Sequence, residues 1–311
     1  MKQQICVEEF QIPSGGGGSL HCMKWLPGEP VQAVVQIVHG IAEHITRYDE
    51  FARFLCGHGI AVVAEDHMGH GGSLADGEPK GYFRGGWETA VDDAYSLLTK
   101  TRQEYPQVPY VIFGHSMGSF LTRTLLYRHT DSGIAGAVIC GTGWQPGALL
   151  AVGCALSGAA CKIKGDTAVS PLLHKMMFSG YLKKIRDPRT PFDWICSDPQ
   201  VVQAYAADPL CGFTETCGLE RDMLGGIREN QKPENLRKMN KELPVLFIAG
   251  SLDPVGAYGQ GVTRTAQAFR EAGMQDVTQI LYDKSRHEVL NDTEKLQVFN
   301  QVYQWITTKI F

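Results

Sequence analysis

The chain has 311 residues, enough for one large α/β domain with its own hydrophobic core or for a domain with an insertion. Hydrophobic residues make up 43% and charged residues 20% of the chain, a balance that excludes a disordered polypeptide. The net charge of −4 gives no electrostatic attraction to nucleic acid or to an anionic membrane, so neither is expected as a partner.

The N-terminal stretch MKQQICVEEF has no apolar core of the kind found in signal peptides, which predicts a cytoplasmic protein. The nine cysteines are scattered and form no Cys-x-x-Cys pair. In a reducing compartment most of them are expected to be small buried hydrophobic residues rather than disulfides or zinc ligands. Phosphate-cradling loops and dinucleotide fingerprints are absent from the sequence as well. We therefore expect neither a metal nor a cofactor.

The predicted elements begin with two strand-like runs, 6–13 and 20–27, on either side of SGGGGS, which predicts a hairpin with a glycine-rich loop. Apolar runs of the kind that fill buried parallel strands then alternate with segments of helical spacing. The predicted strands are 33–40, 60–67, 108–115, 134–143, 243–250 and 277–284. The predicted helices between and after them are 45–59, 87–105, 119–130, 262–273 and 296–310. This alternation predicts the α/β class, with a mostly parallel central sheet covered by helices on both faces.

The alternation is interrupted over residues 144–241, which have few strand-like runs. We predict that this segment is a helical cap inserted into a core made of residues 1–143 and 242–311. Residues 141–161 carry no charged side chain, and a membrane span needs about 20 apolar residues. Gln145, Pro146 and the many glycines and alanines argue against a span, so a surface-lying or pocket-lining helix is predicted.

A serine stands where the strand 108–115 passes into a helical pattern, in the pentapeptide GHSMG around Ser116. Gly-x-Ser-x-Gly between a strand and a helix is the pattern of a nucleophile elbow, in which Gly114 and Gly118 relieve crowding around the serine. The start of the following helix also directs free N–H groups toward a developing anion. The alternative is an ordinary strand–helix turn with a serine N-cap. The candidate base, acid and oxyanion-hole donors elsewhere in the sequence favour the nucleophile.

A serine nucleophile needs a base, and in this kind of sheet the order along the chain is serine, acid, histidine. Of the histidines after Ser116, His129 lies on the next helix and His174 lies in the insertion. His287, in SRHEVLND, alone follows the strands that come after the insertion, and we predict that it is the base.

The acid is predicted to be Asp253, which follows the strand 243–250 with Pro254 directly after it. A carboxylate there can hold the imidazole tautomer and stabilise its protonated form. Asp283 is the competitor, but it lies only four residues before His287, so acid and base would come from one loop instead of two.

An oxyanion hole needs two backbone donors. One is predicted to be the N–H of Met117, directly after the nucleophile. The other is assigned to Ile41, which follows His39 and Gly40 in the loop after the strand 33–40. Because both donors are main-chain groups, their side chains can vary with little direct effect on the chemistry.

Five motifs together resemble one branch of the α/β-hydrolases: HGIAEHITRY, EDHMGHGGS, FGHSMGS, GSLDPVG and SRHEVLND. This branch holds monoacylglycerol lipases and bacterial lysophospholipases and is often labelled serine aminopeptidase-like (S33). The resemblance runs from His39 to the last helix and implies an α/β-hydrolase fold with a cap over the active site. It also implies a metal-free esterase or lipase that works through an acyl-enzyme. Ser119 is a departure, since many relatives carry a glycine there.

Several other residues are expected to be structural. His67 and His70 form a His-x-x-His pattern with no third metal ligand, and the resemblance implies that this loop shapes the site. Glu43 and His44 are expected to pair and hold the oxyanion loop. His115 is expected to point away from the nucleophile.

The leading hypothesis is a serine carboxylic ester hydrolase acting on a small, lipid-like ester, with the cap able to touch a lipid surface. The cap segment has 13 lysines and arginines against 10 acidic residues, so its composition does not suggest capture of a substrate amine. Its apolar residues, including Met176, Met177 and Phe178, could line an acyl pocket or form the cap's own core. An amide or aminoacyl hydrolase with the same triad, and a non-catalytic binding homologue, are the alternatives.

Overall fold

A computed structural model of the protein describes residues 5–28 and 30–311, so the first four residues of the N-terminal stretch lie outside the description. One sheet of eight strands forms the centre of the described chain, in the order β1-β2-β4-β3-β5-β6-β7-β8. β1 and β2 pair antiparallel with each other, β2 pairs antiparallel with β4, and all other neighbours are parallel. The strands are β1 Cys6–Pro13, β2 Ser19–Leu26, β3 Ala33–Val38, β4 Ile60–Glu65, β5 Tyr110–His115, β6 Gly136–Cys140, β7 Val245–Gly250 and β8 Val277–Tyr282. The predicted mostly parallel sheet is confirmed.

The helices fall into two groups. Five of them alternate with the strands close to the predicted positions: α1 Asp49–Cys56, α2 Gly86–Glu104, α3 Met117–Arg128, α9 Gln260–Glu271 and α10 Lys295–Lys309. The others lie between β6 and β7: α4 Gly147–Lys164, α5 Pro171–Phe178, α6 Pro199–Ala207, α7 Cys217–Asn230 and α8 Pro233–Leu236. We call the segment 144–241 the cap segment; its separation from the core as a domain of its own stays a prediction.

Alternation of side chains along the strands divides the core into two layers. On β3, Val35 and Ile37 pack on the face that holds α1 and α10. Val34 and Val38 pack on the opposite face, with α2, α3 and α9. Because the parallel strands are covered on both faces, the inner ones read as continuous apolar runs. Their carboxyl ends all meet at one edge of the sheet, below the cap segment.

The predicted N-terminal hairpin is confirmed, with β1 and β2 in register from Cys6 opposite Leu26 to Pro13 opposite Ser19. Two glycines of its loop, Gly17 and Gly18, have positive φ angles of 87° and 86°, which side chains disfavour.

Helix α4 is long and apolar enough, by length and composition alone, to cross a membrane. Its 18 residues have a mean hydropathy of 1.4, and 17% of them are buried. The helix lies on the protein surface beside an apolar cavity described below, in agreement with the surface-lying helix predicted for residues 141–161. Gln145 and Pro146 precede its first turn.

Candidate active site

Ser116 occupies a sharp turn between β5 and α3, with φ 52° and ψ −120°. This is a strained backbone for a residue with a side chain, and such strain clusters at functional sites. The two glycines of the motif allow the turn. A Cβ atom on Gly118 would lie 1.9 Å from the carbonyl oxygen of Val38, and one on Gly114 would lie 2.4 Å from the carbonyl oxygen of Gly118. Ser119, where the motif departs from many relatives, donates its hydroxyl to the carbonyl oxygen of Ser116 at 2.6 Å.

His287 and Asp253 meet above the ends of β7 and β8. Nδ1 of His287 donates to Oδ2 of Asp253 at 3.0 Å, and Nε2 is buried with no hydrogen-bond partner in the described chain. Burial lowers the pKa of His287, but the negative charge of Asp253 and the hydrogen bond to it raise the pKa by more. The net pKa is therefore above its ordinary value. Asp283 is exposed and contacts Ser251 instead.

The backbone N–H groups of Ile41 and Met117 have no acceptor within residues 5–28 and 30–311. Both residues line cavities that also contain Ser116. Gly40 brings the loop close to the serine, because a Cβ atom there would lie 3.0 Å from Cβ of Ser116. Two free donors beside the serine are what an oxyanion requires.

The loop that carries Ile41 is held by a buried charge network. Oε1 of Glu43 accepts the N–H of Gly40 at 2.6 Å and the hydroxyl of Tyr48 at 2.8 Å. Arg47 lies between two carboxylates, 2.9 Å from Glu43 and 2.6 Å from both oxygens of Glu288. Glu288 directly follows His287, so this network joins the oxyanion loop to the loop of the candidate base.

The expected pair of Glu43 and His44 is wrong. Glu43 turns inward to the network just described, whereas Nε2 of His44 contacts Oδ2 of Asp208 in the cap segment at 2.9 Å. The two side chains are adjacent in an irregular loop and leave it in different directions. The cap segment also hydrogen-bonds to this loop at Ala42. The Ala42 carbonyl oxygen accepts from the Tyr205 hydroxyl at 2.8 Å and from the Gly212 N–H at 3.0 Å.

The expected orientation of His115 is also wrong. Its ring centroid lies 4.8 Å from that of His287, and the side chain lines the same cavity as Ser116. Burial, together with the nearby His287, holds the pKa of His115 well below its ordinary value.

His39 and the histidines of the loop after β4 hydrogen-bond to backbone groups of the loops after β3 and β4. His39 donates from Nδ1 to the carbonyl oxygen of Gly40 at 2.7 Å, and its Nε2 accepts the backbone N–H of His67 at 3.0 Å. His67 donates from Nε2 to the carbonyl oxygen of His39 at 3.1 Å, and Nδ1 of His70 donates to that of Met68. These contacts tie the loop after β4 to the oxyanion loop.

One group of side chains in the described chain has the composition of a metal site. His44, Asp208 and Cys211 bring one potential ligand atom each to within 4.8 Å of one another. His44 and Asp208 already hydrogen-bond to each other, and Nδ1 of His44 contacts the Thr46 hydroxyl at 2.8 Å. The trio thus links the cap segment to the oxyanion loop without requiring an ion.

Two cavities open on either side of Ser116. One, of about 270 Å³, is mostly apolar and lies against α4, α5 and α7. The other, of about 250 Å³, also has a mostly apolar surface, but several charged and polar side chains stand in its wall. We call the first the apolar cavity and the second, after those side chains, the polar cavity. The apolar cavity is lined by residues that include Met117, Phe120, Leu150, Leu156, Leu173, Met176, Met177, Met223 and Ile227. The polar cavity is lined by residues that include Glu43, His115, His174, Glu215, His287 and Glu288.

Trp194 of the cap segment lies in the walls of both cavities. Its ring centroid is 5.1 Å from that of His287 and 4.9 Å from that of Tyr181. The sequence analysis did not single out this residue, because it stands in an irregular stretch with neither helical nor strand spacing. No motif there predicts which aromatic side chain reaches the site.

The eight-stranded, mostly parallel sheet, with Ser116 at the strained turn between β5 and α3, is that of an α/β-hydrolase. Comparison with known proteins agrees. Residues 29–294 match the family described as "Serine aminopeptidase, S33" (Hydrolase_4), and the chain belongs to that family.

Relatives and solved structures indicate which kind of α/β-hydrolase the chain resembles. The chain is 29% identical to a monoacylglycerol lipase of Mycolicibacterium smegmatis over 97% of this chain and 98% of the relative. It is 24% identical to mouse monoglyceride lipase over 96% and 90% of the two chains. The structure of a thermostable carboxyl esterase from Bacillus coagulans, in complex with glycerol, superposes with a TM-score of 0.92 at 27% identity and covers 99% of this chain and 100% of that one. The protein is thus an esterase- or lipase-like α/β-hydrolase.

Proposed function

We propose that the protein hydrolyses carboxylic esters that combine an apolar acyl chain with a small polar alcohol, as monoacylglycerols do. The observation that carries the proposal is that the apolar cavity and the polar cavity both open on Ser116. An ester bond held at Ser116 can then direct its acyl chain to one side and its alcohol to the other. The relatives named monoacylglycerol lipase, at 24–29% identity, support the same substrate class.

In this mechanism Ser116 is the nucleophile, His287 the base and Asp253 the residue that orients the base. The Ser116 hydroxyl attacks the carbonyl carbon while its proton passes to the free Nε2 of His287. The oxyanion that forms accepts hydrogen bonds from the N–H groups of Ile41 and Met117. Protonated His287 then gives its proton to the leaving alcohol, and a water molecule activated by His287 releases the acid.

The cap segment is proposed to contact a lipid surface while substrate enters. Several large apolar side chains around the apolar cavity are exposed, including Leu149 at 61%, Leu172 at 68% and Met176 at 53%. A patch of this kind beside a cavity is characteristic of a surface that meets lipid or another apolar partner. Leu149 and Met176 also line the apolar cavity, so the patch continues into it.

The proposal is tested by the hydrolysis of p-nitrophenyl esters from acetate to palmitate, with a 1-monoacylglycerol alongside, by wild type and Ser116→Ala. We expect a maximum at medium or long acyl chains that is lost in the variant. A maximum at acetate would contradict the acyl role of the apolar cavity. Turnover of matched amides but not of esters would contradict the proposed reaction.

A further inference from the structure

One carboxylate in the wall of the polar cavity has an oxygen that nothing in the described chain uses. Glu215 follows α6 in the cap segment, and its side chain is 1% exposed. Oε2 accepts a hydrogen bond from Nδ1 of His174 at 2.9 Å, whereas Oε1 is buried and has no hydrogen-bond partner among the described residues. A buried acceptor without a donor costs free energy, so the site favours a ligand that brings a donor.

The other acidic side chains of this cavity are already occupied. Glu43 accepts from Gly40, Arg47 and Tyr48, and Glu288 accepts from Arg47 through both of its oxygens. Their carboxylates therefore hold the oxyanion loop and the His287 loop in place. Oε1 of Glu215 is left as the carboxylate oxygen that can receive a new hydrogen bond.

Glu215 is held rigidly, as a recognition group must be. Thr216 donates its hydroxyl to the carbonyl oxygen of Gly81 at 2.7 Å, and its N–H reaches the same oxygen at 3.3 Å. His174, on α5, packs its ring on Phe178 with centroids 4.7 Å apart. The hydrogen bond to Glu215 raises the pKa of His174.

The geometry of the pair limits what a ligand must supply. Oε2 of Glu215 already accepts from His174, so a ligand in the polar cavity needs to bring one donor, to Oε1. An alcohol hydroxyl supplies such a donor.

We propose that Glu215, oriented by His174, selects esters whose leaving alcohol carries a free hydroxyl group, which donates a hydrogen bond to Oε1. This inference rests on the proposed function and assigns a specificity-determining residue in its polar cavity. The net charge of the cap segment does not predict this role of Glu215, because the role depends on the position of a single side chain.

The test compares two butyrate esters: 1-butyrylglycerol and its analogue 2,3-dimethoxypropyl butyrate, in which both hydroxyl donors are methylated. We expect wild type to favour the glycerol ester in kcat/KM by at least about tenfold. Glu215→Met, which keeps the volume but offers no acceptor oxygen, should lose most of this preference. Glu215→Gln, which keeps a neutral acceptor, should retain part of it.

Asp222→Asn is the matched control, because Asp222 is a partly buried carboxylate of the cap segment that pairs with Arg221 and lines neither cavity. It should keep the wild-type preference. The ratio of kcat/KM for the two butyrate esters is taken within each variant, and the melting temperature of each variant is measured alongside. This readout separates a change of specificity from a loss of folding.

Equal kcat/KM values for the two butyrate esters in wild type would overturn the inference, as would a preference that survives in both Glu215 variants. The inference would then fail while the proposed function stands, since p-nitrophenyl butyrate would still be hydrolysed. Absence of Ser116-dependent turnover of every ester would instead contradict the proposed function, and the inference would fall with it.

Discussion

His287 and Asp253 share a hydrogen bond of 3.0 Å, and their side chains are 3% and 0% exposed. The second oxygen of Asp253 accepts the backbone N–H of Val255 at 2.8 Å, so the carboxylate cannot rotate freely. This arrangement keeps a proton on Nδ1 of His287 and leaves Nε2 bare. The remaining steps of the proposed reaction depend on that tautomer.

Replacement of the orienting acid should therefore reduce turnover far more than it reduces binding. We expect Asp253→Asn to lower kcat by about 10³–10⁴, because an amide at this position favours the wrong imidazole tautomer. Steady-state kinetics on p-nitrophenyl butyrate measures the change. Asp283→Asn is the control, since Asp283 is exposed and contacts Ser251. A large loss in the Asp283 variant with normal turnover in the Asp253 variant would reverse the assignment of the acid.

The pH dependence should report His287. The base must be unprotonated to accept the serine proton, so kcat/KM should fall as the pH drops through the pKa of His287 and reach a plateau above it. Burial lowers that pKa and Asp253 raises it by more, so the midpoint should lie above the ordinary value of 6.5. In Asp253→Asn the residual activity should show a lower midpoint, because burial then acts without the carboxylate. A midpoint that does not move would contradict this account.

The network around Glu43 should be important for stability as well as for the oxyanion loop. Glu43→Ala leaves Arg47 with one carboxylate fewer and leaves the Gly40 N–H and the Tyr48 hydroxyl without their acceptor. We expect the free energy of unfolding to fall by about 3–5 kcal/mol in urea titrations. The control is Arg53→Ala, which breaks an ion pair whose side chains are 47% and 43% exposed and should cost less than about 1 kcal/mol. Equal losses in the free energy of unfolding for the two substitutions would contradict a larger contribution of the buried network to stability.

The elbow should not tolerate a methyl group at Gly118. A Cβ atom there would lie 1.9 Å from the Val38 carbonyl oxygen, so Gly118→Ala must displace either α3 or β3. We expect a loss of several kcal/mol of stability, or insoluble protein, measured by thermal unfolding and yield. Gly158→Ala, on α4 with no atom within 4 Å of the added Cβ, should be neutral or stabilising by up to about 1 kcal/mol. A stable, fully active Gly118→Ala protein would mean that α3 packs differently.

The sheet and its surrounding helices could be predicted from the sequence because their patterns are local. Buried parallel strands such as Ala33–Val38 read as continuous apolar runs, and α1 and α9 read as amphipathic helices. The positions of Ser116, Asp253 and His287 follow from the same logic, since each lies within five residues after a strand whose end is at the shared edge of the sheet. Their roles stay predictions.

The walls of the site could not be predicted, because they depend on contacts between distant segments. Trp194 lies beside His287 although 93 positions separate them in the sequence. Arg286 donates to the carbonyl oxygens of Asp193 and Cys196 and so helps to hold that stretch. Glu215 is positioned by Gly81 and His174, neither of which is near it in the chain. The expectation for His115 failed for a related reason: its ring lies beside that of His287, which is 172 positions further along the chain.

The central claim is that Ser116 is an activated nucleophile, and the most direct measurement is covalent labelling of the folded protein with a fluorophosphonate, followed by intact-protein mass spectrometry. We predict one added phosphonyl group per chain in wild type, located on the peptide that contains Ser116. Ser116→Ala, with an unchanged melting temperature, should remain unlabelled. No labelling of folded wild-type protein, or equal labelling of the Ser116→Ala variant, would contradict the assignment of Ser116 and with it the proposed hydrolysis.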